Sequence, residues 1–410
     1  AAAASALVLA GCQTTPGAGA KADKPAQARR YAAYPDVTLE QWLAELRKEA
    51  LGRGVRGEIF DQAFADLKLS ERVGELDASQ PEFTRQPWQY IDSAVSERRV
   101  AEGRKRLERH GALLRETSRQ SGVPAEILVA FWGVETDFGA STGNFSVINA
   151  VATLAFQGRR TDYFRSELLA ALEILNKGDI PLAGLRGSWA GAMGQTQFMP
   201  TIFIAHATDA DGDGRRDIWN SLPDVFASTA KFVRANGWRP GESWGQEVRL
   251  PDGFPYQDAE LTITKSVAEW RALGVTGMDG KPPAGDGNAS ILLLAGRQGP
   301  AFLARENFRA IMRYNPSTSY ALAVALLSDR MAGRPGIVAD WPRHEQPLSK
   351  DERFEVQQRL AGLGYDPGKP DGMIGPATRA AARKFQSAAG DIPDGFVTKD
   401  MLEKLRRAGG

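Results

Sequence analysis

Between Leu39 and Ala235 apolar residues recur at spacings of three and four, with Gly or Pro between the runs, and this predicts a succession of α-helices. Within this stretch Val95 to Gln120 holds eight basic and four acidic residues. That run reads as a solvated helix face, or as a basic strip set against an acidic polymer. From Gly237 to Gly299 the texture changes to short alternating stretches, Ser243 to Leu250 and Glu260 to Thr264, separated by Gly, Pro and Asp. A small β-containing insertion is expected there. Helix is expected to return at Ala301 to Ile311 and Ser319 to Met331. Pro335, Pro342 and Pro347 then mark Gly333 to Ser349 as a linker. Lys350 to Arg407 shows two helical stretches around a Gly-Asp-Pro-rich turn, each too small to be stable alone. The fold class expected is mainly α (α+β), with a small helical C-terminal domain.

Composition adds bounds to this picture. With 410 residues, 42% hydrophobic and 25% charged, the chain can bury a real core and divide into more than one domain. Its 51 basic and 50 acidic residues nearly cancel, so the net charge gives no reason to expect nucleic acid as a partner. Cys12 is the only cysteine, which excludes an intrachain disulfide and a cysteine-based zinc site. Ala1 to Gly11 is small and apolar, like a signal-peptide core, and too short to span a bilayer. It ends in Leu9-Ala10-Gly11-Cys12, which resembles a bacterial lipobox; the alternative is an ordinary secretory signal with an incidental cysteine. With neither a start Met nor a basic segment ahead of it, the sequence is expected to begin inside the signal. Gln13 after the cysteine favours the outer over the inner membrane by analogy with known lipoproteins, and Thr14 to Arg30 reads as a flexible tether.

Three segments offer chemistry. In Pro124-Ala-Glu-Ile-Leu-Val-Ala-Phe-Trp-Gly-Val-Glu135-Thr-Asp-Phe-Gly139 a carboxylate ends an apolar helix begun by a proline. Burial and the carbonyl end of the helix dipole both disfavour its charged form, so a raised pKa suited to a general acid is expected. An ion pair or a capping role fits that segment as well. The second is Leu185-Arg-Gly-Ser188-Trp-Ala-Gly-Ala-Met-Gly-Gln195-Thr-Gln197-Phe-Met-Pro200, whose glycines allow close approach of backbone to a ligand and whose Ser188, Gln195 and Gln197 offer neutral hydrogen bonds suited to a sugar. Tight packing of helices is the alternative. In the third, Arg313-Tyr-Asn-Pro-Ser-Thr-Ser-Tyr320, Asn315 and Ser317 either face a ligand or cap the following helix.

Together these segments resemble the membrane-bound lytic murein transglycosylase B family over Val37 to Ala332. The resemblance implies a lysozyme-like, mainly helical catalytic domain with a small β element. It implies that Glu135, in Gly-Val-Glu-Thr, is the catalytic residue, and that Ser188, Gln197, Tyr314, Asn315, Ser317 and Tyr320 lie in the active-site cleft. Tyr90, and Arg159, Arg160 and Tyr163 in Gln-Gly-Arg-Arg-Thr-Asp-Tyr-Phe, are implied as contacts to glycan and peptide. Hydrolysis with retention through a covalent intermediate needs a second carboxylate near the first. Asp137 is nearest in sequence, but two residues along a helix point to nearly opposite faces, so it is a poor nucleophile. The family's chemistry dispenses with one, Glu135's counterpart acting as acid and then base while the substrate's own C6 hydroxyl closes a 1,6-anhydromuramic ring. A muramidase that uses water and a non-catalytic wall-binding lipoprotein are the alternatives. No cofactor is required for the chemistry, and the partners implied are peptidoglycan strands and, through the lipid, the inner face of the outer membrane from the periplasm.

Asp209-Ala-Asp211-Gly-Asp213-Gly214-Arg-Arg-Asp217-Ile-Trp-Asn220 follows the EF-hand calcium loop, with Asn220 where a bidentate Glu is usual. Calcium on Asp209, Asp211, Asp213 and Asp217, and a metal-free Asp-Gly turn, are both open. Finally Val356-Gln-Gln-Arg-Leu-Ala-Gly-Leu-Gly-Tyr365, Gly368-Lys-Pro-Asp-Gly372-Met-Ile-Gly-Pro-Ala-Thr378 and Ala381-Ala-Arg-Lys-Phe-Gln386 resemble a small helical peptidoglycan-binding domain, with Asp394-Gly395 and Thr398 as a degenerate echo of its turn. The domain layout expected is 1–12 signal remnant, 13–36 tether, 37–332 catalytic domain, 333–349 linker and 350–410 wall-binding domain, the last alternatively a stabilising appendage.

Overall fold

The computed structural model describes residues 37–79 and 86–409; Cys12, its lipobox and the tether lie outside the described residues. In chain order the helices are α1 (Leu39–Gly52), α2 (Gly57–Phe64), α3 (Glu71–Ser79), α4 (Pro87–Ala94), α5 (Glu97–Arg109), α6 (Gly111–Ser121), α7 (Ala125–Thr136), α8 (Val147–Gln157), α9 (Thr161–Lys177), α10 (Pro200–His206), α11 (Leu222–Ala235), α12 (Val267–Ala272), α13 (Glu306–Tyr314), α14 (Thr318–Met331), α15 (Lys350–Gly362), α16 (Pro376–Ala388) and α17 (Lys399–Ala408). The strands are β1 (Phe145–Ser146), β2 (Arg186–Gly187), β3 (Gly245–Arg249), β4 (Lys265–Ser266), β5 (Thr276–Gly277), β6 (Asn288–Leu293) and β7 (Ala301–Ala304). The chain divides into two compact units, one of residues up to 81 together with 102–235, the other of 82–101 together with 236–410.

The first unit is helical because its apolar positions recur at helical spacing, and its helix ends are marked by local chemistry. Thr38 caps α1 with a reciprocal bond to Gln41, Ser146 caps α8, and Gly122 and Gly178 end α6 and α9 in the left-handed conformation. Helices α7 and α8 are buried on nearly all sides, with Leu128, Val129, Ala130, Val151 and Leu154 inaccessible to solvent. Two-stranded pairing of β1 with β2, Phe145 opposite Gly187 and Ser146 opposite Arg186, brings the start of α8 to the glycine-rich segment.

In the second unit a five-stranded antiparallel sheet of order β4-β6-β7-β3-β5 covers a core of Val248, Phe254, Trp270, Ile291, Leu293 and Leu303. Two sequence expectations fail here. Ala301–Ala304, expected to open a helix, is the central strand β7, and α13 starts only at Glu306. A four-residue apolar run carries no period, and pairing with β3 and β6 on either side decides it. Glu260–Thr264, expected as strand, is a turn in which the Ile263 N–H donates to the Glu260 carbonyl, and strand is confined to Lys265–Ser266. The C-terminal part has three helices, α15 to α17, rather than two, around Val356, Leu360, Phe385, Leu402 and Leu405. The proline-rich segment has no regular structure, yet it is strapped down rather than free. The Glu247 carboxylate accepts from the Val338 and Ala339 N–H groups at 2.7 and 2.8 Å, Arg343 pairs with Asp92 at 2.6 Å, and buried Trp341 lies 6.2 Å from Trp88. Among the described residues no helix is long and apolar enough to cross a membrane.

Candidate active site

Pro124 stands as the N-cap just outside α7, and from Ile127 to Thr136 every residue of the helix is buried. Glu135, 4% exposed, is the only ionisable group in that stretch. The helix ends abruptly. Asp137, Phe138 and Gly139 take positive φ values of 49°, 60° and 85°, and the Asp137 N–H turns back to the Gly133 and Trp132 carbonyls. Two non-glycine residues in the left-handed region carry strain, which the surrounding bonds must hold. Asp137 therefore belongs to a cap and does not continue the helix face of Glu135.

Part of that hold comes from the second segment, about sixty residues away in sequence, and part from α7 itself. The Gln195 carboxamide accepts from Trp132 Nε1 at 2.7 Å and donates to the Trp219 carbonyl at 2.7 Å. Thr136 Oγ1 donates to the Trp132 carbonyl and accepts from the Gly139 N–H at 3.0 Å. A Cβ on Gly139 would lie 2.5 Å from Gln195 Oε1, so this contact requires glycine. The glycine-rich segment itself is folded backbone against backbone. A Cβ at Gly187 would sit 2.1 Å from the Ala192 carbonyl oxygen, and one at Gly143 would sit 2.2 Å from the Gly187 carbonyl oxygen. These two glycines, one within that segment and one before β1, thus let chain approach chain, where sequence reasoning expected glycines to admit a ligand. Ser188 is buried and its Oγ accepts from the Ala190 and Ala192 N–H groups at 3.3 and 3.0 Å. Gln197 has φ 51°, and its Nε2 donates to the Thr142 and Gly194 carbonyls at 3.0 and 2.9 Å.

Beside this framework, Arg159 pairs with Asp77 at 3.1 Å and Arg160 lies 4.2 Å from the centre of the Tyr163 ring. Burial, with Glu167 nearby, raises the Tyr163 phenol above its ordinary pKa. Glu167, 1% exposed, accepts from the Thr201 N–H at 2.9 Å and hydroxyl at 2.8 Å, which anchors the start of α10; burial pushes its carboxyl up and those donors pull it back. Sequence reasoning missed Gln195 as a tie, Trp132 as its partner, and Glu167. No local signal marks them, because each acts through a residue far along the chain.

The remaining expected residues lie in the second unit. Tyr90 is half-buried on α4, and Tyr314 ends α13 buried. The Asn315 carboxamide oxygen accepts from the Ser317 N–H at 3.0 Å, Ser317 caps α14 by accepting from the Tyr320 N–H at 3.4 Å, and Tyr320 is fully buried. The capping alternative for Ser317 is thus realised.

In the Asp-rich loop, oxygens of Asp209, Asp211 and Asp213 lie within 4.8 Å of one another, a donor set that fits a hard cation. Asp217, expected as a fourth ligand, is not in this group: its Oδ1 accepts from the Trp219 and Asn220 N–H groups, both at 2.9 Å. Buried Asp224 holds the loop from beneath, accepting from the Ala210 and Asp217 N–H groups at 2.7 Å each. The loop also reaches the active-site framework within the first unit, through the Trp219 carbonyl that takes the Gln195 bond.

A helix buried from Ile127 onward and ending in an acid, clamped by a glycine-rich segment of neutral polar residues, is the arrangement of a lysozyme-like fold. The chain belongs to the Transglycosylase SLT domain family, which matches residues 38–329, and carries a Putative peptidoglycan binding domain at residues 349–405. It is 38% identical over 220 residues to membrane-bound lytic murein transglycosylase B of Escherichia coli strain K12, a match over 52% of this chain and 58% of that protein. The match thus spans little more than half of that relative's length. SltB3 from Pseudomonas aeruginosa, solved in complex with NAG-anhNAM-pentapeptide, aligns with a TM-score of 0.87 and 49% identity over 90% of this chain and 99% of its own. Escherichia coli lytic transglycosylase SLT35 in complex with calcium aligns with a TM-score of 0.63 and 29% identity over 71% and 92% of the two chains.

Proposed function

We propose that this chain is a peptidoglycan lytic transglycosylase that cuts the β-1,4 bond between MurNAc and GlcNAc and leaves a 1,6-anhydromuramic end. The observation that carries the reading is Glu135, buried at the end of α7 in a chain whose relative SltB3 holds a ligand with an anhydro-sugar. The Glu135 carboxyl gives its proton to the glycosidic oxygen as the bond from MurNAc C1 breaks. As a carboxylate it then takes the proton of the C6 hydroxyl, whose oxygen bonds to C1, and no water enters. Ser188 and Asn315 orient the sugar and its N-acetyl group while positive charge develops at C1, Gln197, Tyr314, Ser317 and Tyr320 complete the cleft, and Tyr90, Arg159, Arg160 and Tyr163 contact glycan and peptide. Catalysis is assigned to residues 37–332, with 333–349 as connector and 350–410 as the wall-binding part.

Calcium, when bound, would be held by Asp209, Asp211 and Asp213 and would brace the loop under Trp219. The relative SLT35, solved with calcium, supports this part of the reading. The chain is further proposed to be exported, with residues 1–12 as signal remnant and 13–36 as tether, and lipidated on Cys12, placing it in the periplasm on the inner face of the outer membrane. The name of the Escherichia coli relative, membrane-bound, supports that placement.

The test is digestion of purified sacculi followed by mass spectrometry. The wild-type chain should release products one water lighter than those of a hydrolase, and Glu135→Gln should lower the rate by about a hundredfold or more without lowering Tm. Hydrated products, or full activity in the variant, would overturn the assignment.

A further inference from the structure

The C-terminal part contains the same turn twice, in two different uses. In the first copy Gln357, 1% exposed, accepts from the Asp371 and Gly372 N–H groups at 2.9 and 2.8 Å, and its Nε2 donates to Asp371 Oδ1 and the Met373 carbonyl. In the second copy Gln386 accepts from the Gly395 N–H at 2.8 Å, and its Nε2 donates to Asp394 Oδ1 and the Phe396 carbonyl. Asp371 Oδ1 accepts from the Met373 N–H at 2.8 Å and Asp394 Oδ1 from the Phe396 N–H at 2.9 Å. Gly372 and Gly395 have φ values of 76° and 74°. Each aspartate thus spends one oxygen on its own turn.

The second copy shows what the other oxygen does. Asp394 Oδ2 accepts from the Arg297 N–H at 2.9 Å, and a Cβ on Gly296 would lie 2.5 Å from that oxygen and 2.7 Å from Phe396 Cβ. The turn therefore grips a backbone amide beside a residue with no side chain, its apolar Phe396 lying against it. The grip is reinforced by Arg383, which pairs with Glu260 and donates to the Ala259 carbonyl at 3.0 Å. In the first copy the corresponding groups face outward. Asp371 is exposed, and Met373, in the place of Phe396, is 40% exposed, one of few large apolar side chains in that state among the described residues.

We propose that the Asp371–Gly375 turn is the wall-contacting surface of this part of the chain, and that it grips the backbone amide of a peptidoglycan peptide stem as its twin grips Gly296–Arg297. This rests on the wall-binding reading of residues 350–410. A stem suits the turn because it is a peptide chain presenting backbone amides, as in the pentapeptide-bearing ligand with which the relative SltB3 was solved, and Met373 would cover it. N-acetyl groups of the glycan also present amide N–H, so the sugar is the source the experiment must separate.

The experiment uses the full chain carrying Glu135→Gln, incubated with purified sacculi and pelleted over a range of concentrations. Adding Asp371→Asn keeps an oxygen for the Met373 N–H and replaces the outward acceptor by a donor; Met373→Glu places charge on an exposed position that the fold does not use. Each should raise the apparent Kd about tenfold, the loss expected for one charged hydrogen bond or its apolar cover. Sacculi stripped of stems by an amidase should bind the parent chain about tenfold more weakly, with no further loss in Asp371→Asn. Parent-like binding by both variants, or equal binding of stripped and intact sacculi, overturns the proposal. A chain ending at residue 349 that pellets as well as the full chain defeats the wall-binding reading itself, whereas weakening by that truncation and not by the turn variants defeats this inference alone. If Asp371→Asn lowers Tm, Met373→Glu decides.

Discussion

Gly143 and Gly178 have nearly the same φ, 87° and 84°, and opposite surroundings. Placing alanine at Gly178, where nothing lies within 4 Å, should cost only the left-handed strain of an L-residue, about 1 kcal/mol. At Gly143 the same methyl would meet the Gly187 carbonyl oxygen at 2.2 Å and the Ser188 nitrogen at 2.7 Å. Both are backbone atoms, which cannot swing aside as a side chain would. Overpacking adds about 1–3 kcal/mol to the strain, so Gly143→Ala should lose about 2–4 kcal/mol. At about 3 °C per kcal/mol for a domain of this size, Tm should fall by about 3 °C in Gly178→Ala and about 6–12 °C in Gly143→Ala. The relief available to Gly143→Ala is a shift of the glycine-rich segment that carries Ser188. Displacement of that order near reacting groups costs about tenfold to a hundredfold in rate. Scanning calorimetry and the release of soluble fragments from sacculi at 25 °C measure the two effects. Equal Tm shifts in the two variants, or full activity in Gly143→Ala, would refute the claim that this close approach shapes the active site.

Gln195→Ala removes both 2.7 Å bonds and leaves Trp132 Nε1 and the Trp219 carbonyl unmatched, so the urea midpoint should fall by the equivalent of about 2 kcal/mol; an unchanged midpoint would show the tie to be idle. Glu247→Ala deprives Val338 and Ala339 of their acceptor, and trypsin should then cut after Arg343 faster than in wild type, with equal time courses on a gel counting against the strap. Glu355 is held down to about 2 by Arg406 and Arg359, from an ordinary value of 4.5. A lowered folded-state pKa stabilises above the unfolded value and loses that contribution as pH falls through the folded one, so the Tm gap between wild type and Glu355→Gln should be full at pH 6 and close between about pH 4.5 and 2. The pair is near the surface, so the gap should shrink in high salt; a gap independent of pH would sink the assignment.

The site separates what each level decides. Glu135 was legible because its segment is local: a proline start, an apolar run and one carboxylate at the end all lie within a dozen residues of α7. Ser188 and Gln197 were legible as polar groups among glycines, but not their bonds, which run to the backbone of their own loop and of Thr142. From sequence Ser317 reads as a cap or a ligand contact, and the cap of α14 is present; Asp217 stands at an EF-hand ligand position, while its Oδ1 accepts from the Trp219 N–H across the next turn. Ala301–Ala304 reads as helix or strand alike, since four apolar residues hold no period, and only the neighbours β3 and β6 make it a strand. The sequence by itself determined the helical character of Leu39 to Ala235, the lone acid at the end of α7 and the two Asp-Gly turns, because each depends on residues within a turn or two of one another. The tertiary structure alone decided that Gln195 ties Trp132 to Trp219, that Gly143 and Gly187 let chain approach chain, and that one Asp-Gly turn is spent inside the molecule while its twin faces outward. Those outcomes depend on atoms brought together across tens of residues, and no local pattern encodes a contact whose partner is set by how the whole chain packs.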